Sequence, residues 1–386
     1  LDTSYCAIYL AKEMGLEVHA ALANTGGFSA EELARIEKRA YALGVKSYVA
    51  LDVTQDYYQH AIKYMIFGNV LKNSTYPISV SSERISQATA IARYAREIGA
   101  YYLCHGSTGA GNDQVRFDMI FNIVAPEIEV IALIREKRLS REEEIEYLRS
   151  HGVDFDFKKA EYSINQGIWG TSVGGKETLT SSETLPEEAY PSQLKETEPR
   201  RVTLTFERGE FVALDGKRYD DRIAAIQALQ AVASRYAVGR DMHVGDTIIG
   251  IKGRVGFEAA APMVIIKAHH MLEKHTLTKW QLFWKDQISA FYGNHLHEGQ
   301  YYDPVMRDME AMLESSQRTV SGDVYVDLHP YRFVVVGIDS PHDLMSNRFG
   351  AYGETMSDWT SEDVKGFGRI FGNQNKIYYQ VNKEKL

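Results

Sequence analysis

Cysteines and long apolar runs are both scarce in this sequence. The 386 residues include only two cysteines, Cys6 and Cys104, each within an apolar stretch. Two thiols cannot build a disulfide framework or a four-thiolate metal site, so we expect a reducing, cytoplasmic location. No run of about 18 apolar residues occurs, and the N-terminus lacks the charged-then-apolar pattern of an export signal. The sequence therefore predicts neither a membrane-spanning nor an exported protein.

Basic residues are also in deficit, since the formal net charge is −9. A protein that binds nucleic acid or anionic lipid without sequence preference needs a basic surface that neutralises phosphates. We therefore expect no nucleic-acid or membrane partner, and any anionic ligand must bind at a local site. Apolar residues (44%) and charged residues (25%) are present in the proportions of an ordinary globular protein.

Helix and strand patterns alternate from the N-terminus to about residue 155. Ser29 and Glu32 form a capping box that opens one of these helices, and the last strand of the series is predicted at 128–134. Such alternation predicts an α/β fold of the Rossmann type, with a mostly parallel sheet and helices on both faces. The chain starts inside a helical pattern, so we expect a strand and half of a phosphate-binding loop to precede it.

A different pattern follows. Residues 154–199 are polar and irregular, which predicts a long loop. Beyond them the sequence predicts a hairpin near residue 206, a strand at 247–251 and long amphipathic helices, which together indicate an α+β arrangement. The predicted organisation is a nucleotide-binding domain (1–155), a second domain (156–365) and a short C-terminal tail (366–386).

The most informative segment is residues 105–117, HGSTGAGNDQVRF, between a predicted strand and a predicted helix. Glycines let backbone amides approach phosphate oxygens, and a helix N-terminus adds a positive field. Asn112, Asp113 and Arg116 can hold a zwitterionic amino acid. The same glycines are compatible with an ordinary turn. They also fit a dinucleotide site, although that motif normally follows the first strand.

Two segments resemble known motifs. Residues 1–4, LDTS, could form a simple helix N-cap, but they resemble the second half of the SGGxDTS loop of N-type ATP pyrophosphatases. Residues 105–117 resemble the HGxTGxGNDQVRF signature of the argininosuccinate synthase family. Similarity extends over nearly the whole chain, through segments at 23–26, 76–84, 162–172 and 250–254.

The resemblance implies an adenine nucleotide alpha-hydrolase-like domain, a synthetase and multimerisation domain, and a ligase that forms C–N bonds. In this family the ureido oxygen of citrulline attacks the α-phosphate of ATP, and pyrophosphate leaves. The amine of aspartate then displaces AMP to give argininosuccinate, in arginine biosynthesis. The resemblance further implies Mg²⁺ as a cofactor and a homotetramer. Positioning and neutralisation of phosphate charge can supply most of such catalysis.

Residue by residue, the resemblance implies three sets of contacts and a smaller catalytic set. The ATP contacts are Asp2, Thr3, Ser4, Ala23 and Gly106. The aspartate contacts are Thr108, Asn112 and Asp113. The citrulline contacts are Tyr76, Ser81, Asn112, Arg116, Ser163 and Ser172. The catalytic set is Asp2, Asp113 and Arg116, and no protein-held metal site is expected.

The sequence departs from the family at two positions. The family carries a Glu and a Tyr that help to hold the amino-acid head of citrulline, and this chain has Gly245 and Phe257 there. One interpretation is that Asp246 or Glu258 replaces the lost carboxylate. The other is that the acceptor has no free α-ammonium, as in an N-acylated citrulline, because an unpaired buried charge is costly.

Two further interpretations remain open from the residues alone. A related ATP pyrophosphatase could adenylate a different acceptor, as in tRNA thiolation, GMP synthesis or asparagine synthesis. A noncatalytic nucleotide sensor would also bind ATP. The histidines at 269, 270, 275, 295 and 297 fit no zinc-binding spacing, so we interpret them as packing or surface residues.

Overall fold

The structure is a computed structural model that describes residues 1–109, 111–153, 162–350, 352–354 and 358–383. Residues 1–342 form one compact unit and residues 343–386 form another. The division at residue 155 stays a prediction. In the described parts of the chain, none of the helices is long and apolar enough to cross a membrane.

The first part of the larger unit contains two parallel strand pairs. Strand β1 (His19–Asn24) pairs with β2 (Ser47–Asp52), and β3 (Tyr102–Cys104) pairs with β4 (Glu129–Ile131). The strands alternate with the helices α1 (Asp2–Lys12), α2 (Ala30–Ala42), α3 (Thr54–Tyr57), α4 (Lys63–Phe67), α5 (Ser79–Glu97), α6 (Asp113–Val124), α7 (Leu133–Lys137) and α8 (Arg141–Ser150). A π-helical segment, Tyr58–Ile62, joins α3 to α4. This alternation confirms the predicted α/β class.

The later part of the larger unit is built on two antiparallel sheets. One has the strand order β10-β11-β6-β5 and the other the order β13-β12-β7-β8-β9. Their strands are β5 (Ser163–Gly167), β6 (Gly170–Gly174), β7 (Arg200–Glu207), β8 (Glu210–Leu214), β9 (Lys217–Arg218), β10 (Arg240–Asp246), β11 (Lys252–Glu258), β12 (Gly322–His329) and β13 (Arg332–Asp339). The helices of this part are α9 (Arg222–Ala233), α10 (Ala260–Thr276), α11 (Lys279–Glu298) and α12 (Pro304–Ser316).

Three local predictions were wrong. The predicted strand at 247–251 is the tight loop between β10 and β11, which Thr247 closes by donating its backbone N–H to the carbonyl of Ile251 (2.8 Å). The stretch predicted as a loop contains β5 and β6, whose polar side chains hid the strand pattern; residues 154–161 of that stretch lie outside the described residues. The strand predicted at 128–134 ends at Ile131, because α7 begins at Leu133.

Helix α5 lies at the centre of the larger unit. It contacts α6, α11, β1, β5 and β6, and it is buried along most of its length. Its buried face carries polar side chains as well as apolar ones, including Ser81, Glu83 and Arg84. Buried polar groups need hydrogen-bond partners, so this helix joins the apolar core to a polar site.

The smaller unit contains a 3-10 helical turn (Asn347–Phe349) and two short α-helices, α13 (Ser361–Phe371) and α14 (Asn373–Asn382). Thr360 caps α13 with a capping box to Asp363. Apolar side chains of both helices, among them Phe367, are exposed.

Candidate active site

One large cavity of about 1250 Å³ contains most of the side chains predicted from the sequence. It is lined by the start of α1, the loop after β3, α5, α6, the β10–β11 hairpin and the end of α11. Eleven of the thirteen predicted residues line it: Asp2, Thr3, Tyr76, Ser81, Gly106, Thr108, Asn112, Asp113, Arg116, Ser163 and Ser172. The two others, Ser4 and Ala23, are buried outside the lining.

The loop after β3 approaches α1 closely because it contains glycine. A Cβ atom on Gly106 would lie 2.9 Å from the Cβ of Asp2, so no larger residue fits there without a shift of the backbone. The side chain of Gln114 stabilises the loop by donating to the carbonyls of Gly109 (2.7 Å) and Gly111 (3.1 Å). Backbone amides and the Asp2 carboxylate are thus presented to the same part of the cavity.

Asp113 opens α6 between two arginines. Its carboxylate accepts hydrogen bonds from Nε of Arg84 (2.9 Å) and from a terminal nitrogen of Arg116 (2.8 Å). Burial alone would raise the pKa of Asp113, but the two positive charges outweigh it and the pKa lies below its usual value. Asp113 is therefore ionised and fixed in orientation at neutral pH.

Arg116 keeps one nitrogen available for a ligand. Its Nε donates to the backbone carbonyl of His297 (2.8 Å), while its Nη2 is buried and has no partner among the described residues. The imidazole of His297 forms a 2.9 Å hydrogen bond with the hydroxyl of Ser81, and burial together with the nearby Arg116 charge lowers its pKa to about 2. A buried guanidinium nitrogen without a partner is costly, so the arrangement suits a site that a polar ligand completes.

Glu83 supports this network from behind. Its carboxylate accepts from the hydroxyl of Thr25 (2.6 Å) and from Arg84 (2.7 Å). Burial raises the pKa of Glu83 to about 7, and the Arg84 charge opposes that shift only in part. A Cβ atom on Gly167 would lie 2.1 Å from this carboxylate, so only glycine leaves room for it.

The turn into α5 is strained. Ile78 has a φ of +46° although it is β-branched and fully buried. Its carbonyl accepts from the hydroxyl of Ser82 (2.7 Å), and the carbonyl of Ser79 accepts from the hydroxyl of Tyr57 (3.1 Å). Strained backbone held by surrounding contacts is typical of functional sites.

The β10–β11 hairpin forms the opposite wall. The ring of Tyr76 stacks on the imidazole of His243 (5.1 Å between ring centroids) and packs against Phe257 (5.3 Å). Phe257 is fully buried behind Tyr76 and does not line the cavity. Gly245 does line it, opposite Gly253 in the antiparallel register. Around Gly245 this wall therefore presents an imidazole and two glycines, and Asp246, Thr247, Arg254 and Val255 of the same hairpin also line the cavity.

Two hydrogen bonds connect the walls. The amide oxygen of Asn112 accepts from the backbone N–H of Ile248 (2.9 Å), in the hairpin loop. Nη2 of Arg84 donates to the side chain of Asn165 on β5 (3.2 Å), close to Ser163 and Ser172 on β5 and β6. The aspartate and citrulline sets predicted from the sequence thus lie around one connected space.

Sequence reasoning missed four residues of the site. Glu83 adjoins Arg84, but nothing in the sequence distinguishes it from a surface glutamate. Asn165 lies in a segment predicted as a loop. His243 and His297 line the cavity; His297 was interpreted as a packing or surface residue, and no role was predicted for His243. Their contacts arise from chain segments far apart, which a one-dimensional pattern does not encode.

Comparisons with known proteins agree along the whole chain. Residues 1–154 match the family model described as the arginosuccinate synthase N-terminal HUP domain, and residues 162–378 match that of the arginosuccinate synthase C-terminal domain. An argininosuccinate synthase of Xanthomonas campestris is 37% identical over 99% of this chain and 97% of its own length. Those of Dictyoglomus turgidum (34%, covering 98% and 95%) and Methanocaldococcus jannaschii (31%, covering 100% and 97%) are similar over comparable lengths.

Proposed function

The chain belongs to the argininosuccinate synthase family, and from this premise we propose that it condenses aspartate with an N-acylated citrulline in preference to free citrulline. Members of the family are ligases that use ATP to form a C–N bond in arginine biosynthesis. The family assignment argues against the two interpretations left open above, a different acceptor class and a noncatalytic sensor. Within this family chemistry, the proposal specifies the substituent on the α-nitrogen of the acceptor.

The single observation that carries this proposal is the wall at Gly245. A free α-ammonium carries a full positive charge, and its burial requires a charged or strongly polar partner. A side chain that began at Gly245 would meet the imidazole of His243. Burial, and after it the positive charge of Lys72, lowers the pKa of His243, so the imidazole is neutral at neutral pH. A neutral imidazole near the positive charge of Lys72 is a poor partner for an ammonium and a good one for an amide.

The two carboxylates that could replace the family Glu are both occupied. Glu258 is buried and accepts from Nε of Arg240 (2.8 Å), and it does not line the cavity. Asp246 lies at the cavity rim, where it pairs with Lys252 (2.6 Å) and leaves 68% of its side chain exposed. Asp113 does line the cavity, but it is already paired with two arginines. None of these three is placed to neutralise a buried ammonium.

The proposed reaction follows the family chemistry. The ureido oxygen attacks the α-phosphorus of ATP, the bond to the leaving pyrophosphate breaks, and the aspartate amine then displaces AMP. We assign Asp2, Thr3 and Gly106 to the nucleotide and Asp113 to the aspartate. The free nitrogen of Arg116 would bind the acceptor. A site of this kind works by positioning and by electrostatic complementarity to phosphate charge.

Mg²⁺ is proposed as the partner of ATP. It keeps most of its ligands as water and phosphate oxygens and needs only one or two protein carboxylates. Asp2 lines the cavity beside Gly106. Glu144 lies next to Asp2 and has a buried oxygen without a partner among the described residues. Burial, followed by the negative charge of Asp2, raises the pKa of Glu144 to about 7. Asp2 is therefore the carboxylate that would contact a cation brought by the nucleotide, while Glu144 lies outside the cavity lining.

We further propose a cytoplasmic homotetramer. The low cysteine content supports a reducing compartment. Exposed aromatic side chains on α11, among them Trp280 and Trp284, support association with other copies.

The test is a comparison of acceptors with the purified enzyme. Pyrophosphate release from ATP is measured with aspartate and either citrulline, N-acetylcitrulline or N-succinylcitrulline, and the condensed product is identified by mass. We expect kcat/KM for at least one N-acylated acceptor to exceed that for citrulline by about 100-fold, because a buried ammonium would be unpaired. Efficient use of plain citrulline together with no use of the other two would refute the proposal.

A further inference from the structure

The imidazole of His243 occupies the space in which a side chain at Gly245 would begin. The two residues alternate along β10 and are both buried, so they point to the same face of the strand. A Cβ atom on Gly245 would lie 2.5 Å from Nε2 of His243. The missing carboxylate and the histidine are therefore alternatives for one position in the wall of the cavity.

His243 is held in place but has an unused polar edge. Its ring is 5% exposed and stacks on Tyr76 with an interplanar angle of 23°. In the part of the chain that the structure describes, neither ring nitrogen forms a hydrogen bond, although the residue lines the cavity. A neutral imidazole carries one N–H donor and one acceptor nitrogen, and buried groups of this kind need partners. A ligand in the cavity can supply one.

We propose that His243 is a specificity-determining residue that donates an N–H hydrogen bond to the carbonyl oxygen of an N-acyl group on the acceptor. The inference rests on the proposed function and identifies where the acyl group binds. Gly245 and Gly253 face each other across the β10–β11 ladder, and without side chains they leave room for a planar amide. Val255, opposite His243 in the register, gives the acyl chain an apolar contact.

The charges around His243 favour an amide over an ammonium. Lys72 lowers the pKa of His243 in addition to burial. Lys72, Arg116 and His243 all lower the pKa of His297, whereas Asp113, already paired with two arginines, raises it. Next to His243, the positive charge of Lys72 would repel a further cation. Acylation of the α-nitrogen removes its positive charge and adds a carbonyl oxygen that accepts a hydrogen bond. An N-acylated acceptor therefore avoids the repulsion and gives His243 a partner.

A different role for His243 gives a different result. The α-carboxylate is common to free and acylated citrulline, so a histidine that bound this group would affect both acceptors equally. A histidine that merely packed against Tyr76 would also affect both. Recognition of the acyl carbonyl alone changes the ratio between the two kcat/KM values.

The experiment therefore measures the ratio of kcat/KM for N-acetylcitrulline to that for citrulline. His243→Ala is expected to lower kcat/KM for N-acetylcitrulline by about 10- to 100-fold, because the acyl oxygen loses its donor, and to leave that for citrulline within about threefold. His243→Gln, which retains an N–H donor, should recover part of the loss. Val244→Ala, on the opposite face of the same strand and 54% exposed, is the matched control and should leave the ratio unchanged.

A gain-of-function variant completes the design. Glu cannot be added at position 245 while the imidazole lies 2.5 Å from the new Cβ, so the informative variant is His243→Ala combined with Gly245→Glu. We expect it to favour free citrulline. Equal losses for both acceptors in His243→Ala would overturn the inference and leave the proposed function intact. A wild-type enzyme that uses citrulline alone would overturn both.

Discussion

The two walls of the cavity differ in how closely they follow the family pattern. The wall that contains residues 105–117 and Arg84 carries the long signature, and its charged groups are paired with one another. The hairpin wall around Gly245 has lost two polar groups and carries an imidazole with no hydrogen bond in the described structure. A buried ion network loses stability when a single member is removed. The hairpin wall contacts the other wall through the hydrogen bond from Ile248 to Asn112, so residues 243 and 245 can change without breaking the ion network. We therefore expect reaction chemistry and acceptor choice to depend on different elements.

The largest effect expected is from Asp113, at the centre of the paired wall. Asp113→Ala removes the group that both arginines bind, so the geometry around the reacting atoms is lost. We expect kcat/KM for synthesis to fall about 1000-fold or more with every acceptor, whereas far-UV circular dichroism shows a folded protein. Asp308→Ala, an exposed aspartate on α12, is the control.

Asp113→Asn separates charge from shape in the same assay. It preserves the side-chain volume and leaves the arginines without a counter-charge, so a comparable loss is expected. Near-normal activity of either variant would show that Asp113 has no role in the active site. The paired wall would then not be the one that carries the reaction chemistry.

An intermediate effect is expected from Glu83, and it concerns stability. The folded-state pKa is raised from 4.5 to about 7, so Glu83 contributes stability that is fully present below pH 4.5 and is lost as the pH rises through 7. The contribution lost is at most about 3 kcal/mol. Glu83→Gln lacks this titration. Between pH 5.5 and 8, the wild type should lose free energy of unfolding relative to the variant in urea titrations.

The control for Glu83 is Glu142→Gln, an exposed glutamate near the start of α8. Its stability curve should run parallel to that of the wild type at each pH. If the Glu83→Gln curve were also parallel, the buried carboxyl would titrate as it does in the unfolded chain. Burial of Glu83 would then not account for the strength of its hydrogen bond with Arg84.

Local sequence signals predicted much of the fold. The capping box predicted at Ser29 is formed where helix α2 begins, because the four residues of such a box interact with one another alone. The strand predicted at 247–251 is instead the loop between β10 and β11. This tight loop, Thr247 to Ile251, is apolar, and the two strands contain glycines and charged residues, so the pattern favoured the wrong segment.

The two walls also differ in how far they could be predicted. Residues 105–117 are contiguous, so one stretch of sequence already contains much of the paired wall. The Ser81–His297 contact joins residues 216 positions apart, and the position of His243 over Gly245 depends on the pleat of a strand whose location was not predicted. Such relations follow from tertiary packing. The departure at Gly245 could be recognised from the sequence, but the group that takes its place could not.

The smallest effect is expected from a substitution of Asp246. It tests directly whether the hairpin wall has a carboxylate that can replace the family Glu. If Asp246 replaced the family Glu, Asp246→Asn would raise KM for citrulline by about 30-fold or more. The exposed pair with Lys252 is screened by solvent and contributes little, and we expect kcat/KM for both acceptors to change less than threefold. Lys252→Met, which breaks the same ion pair from the other side, is the matched control. A large loss of kcat/KM that occurs only in Asp246→Asn and only with free citrulline would indicate that free citrulline is the acceptor, since only a charged α-nitrogen requires that carboxylate.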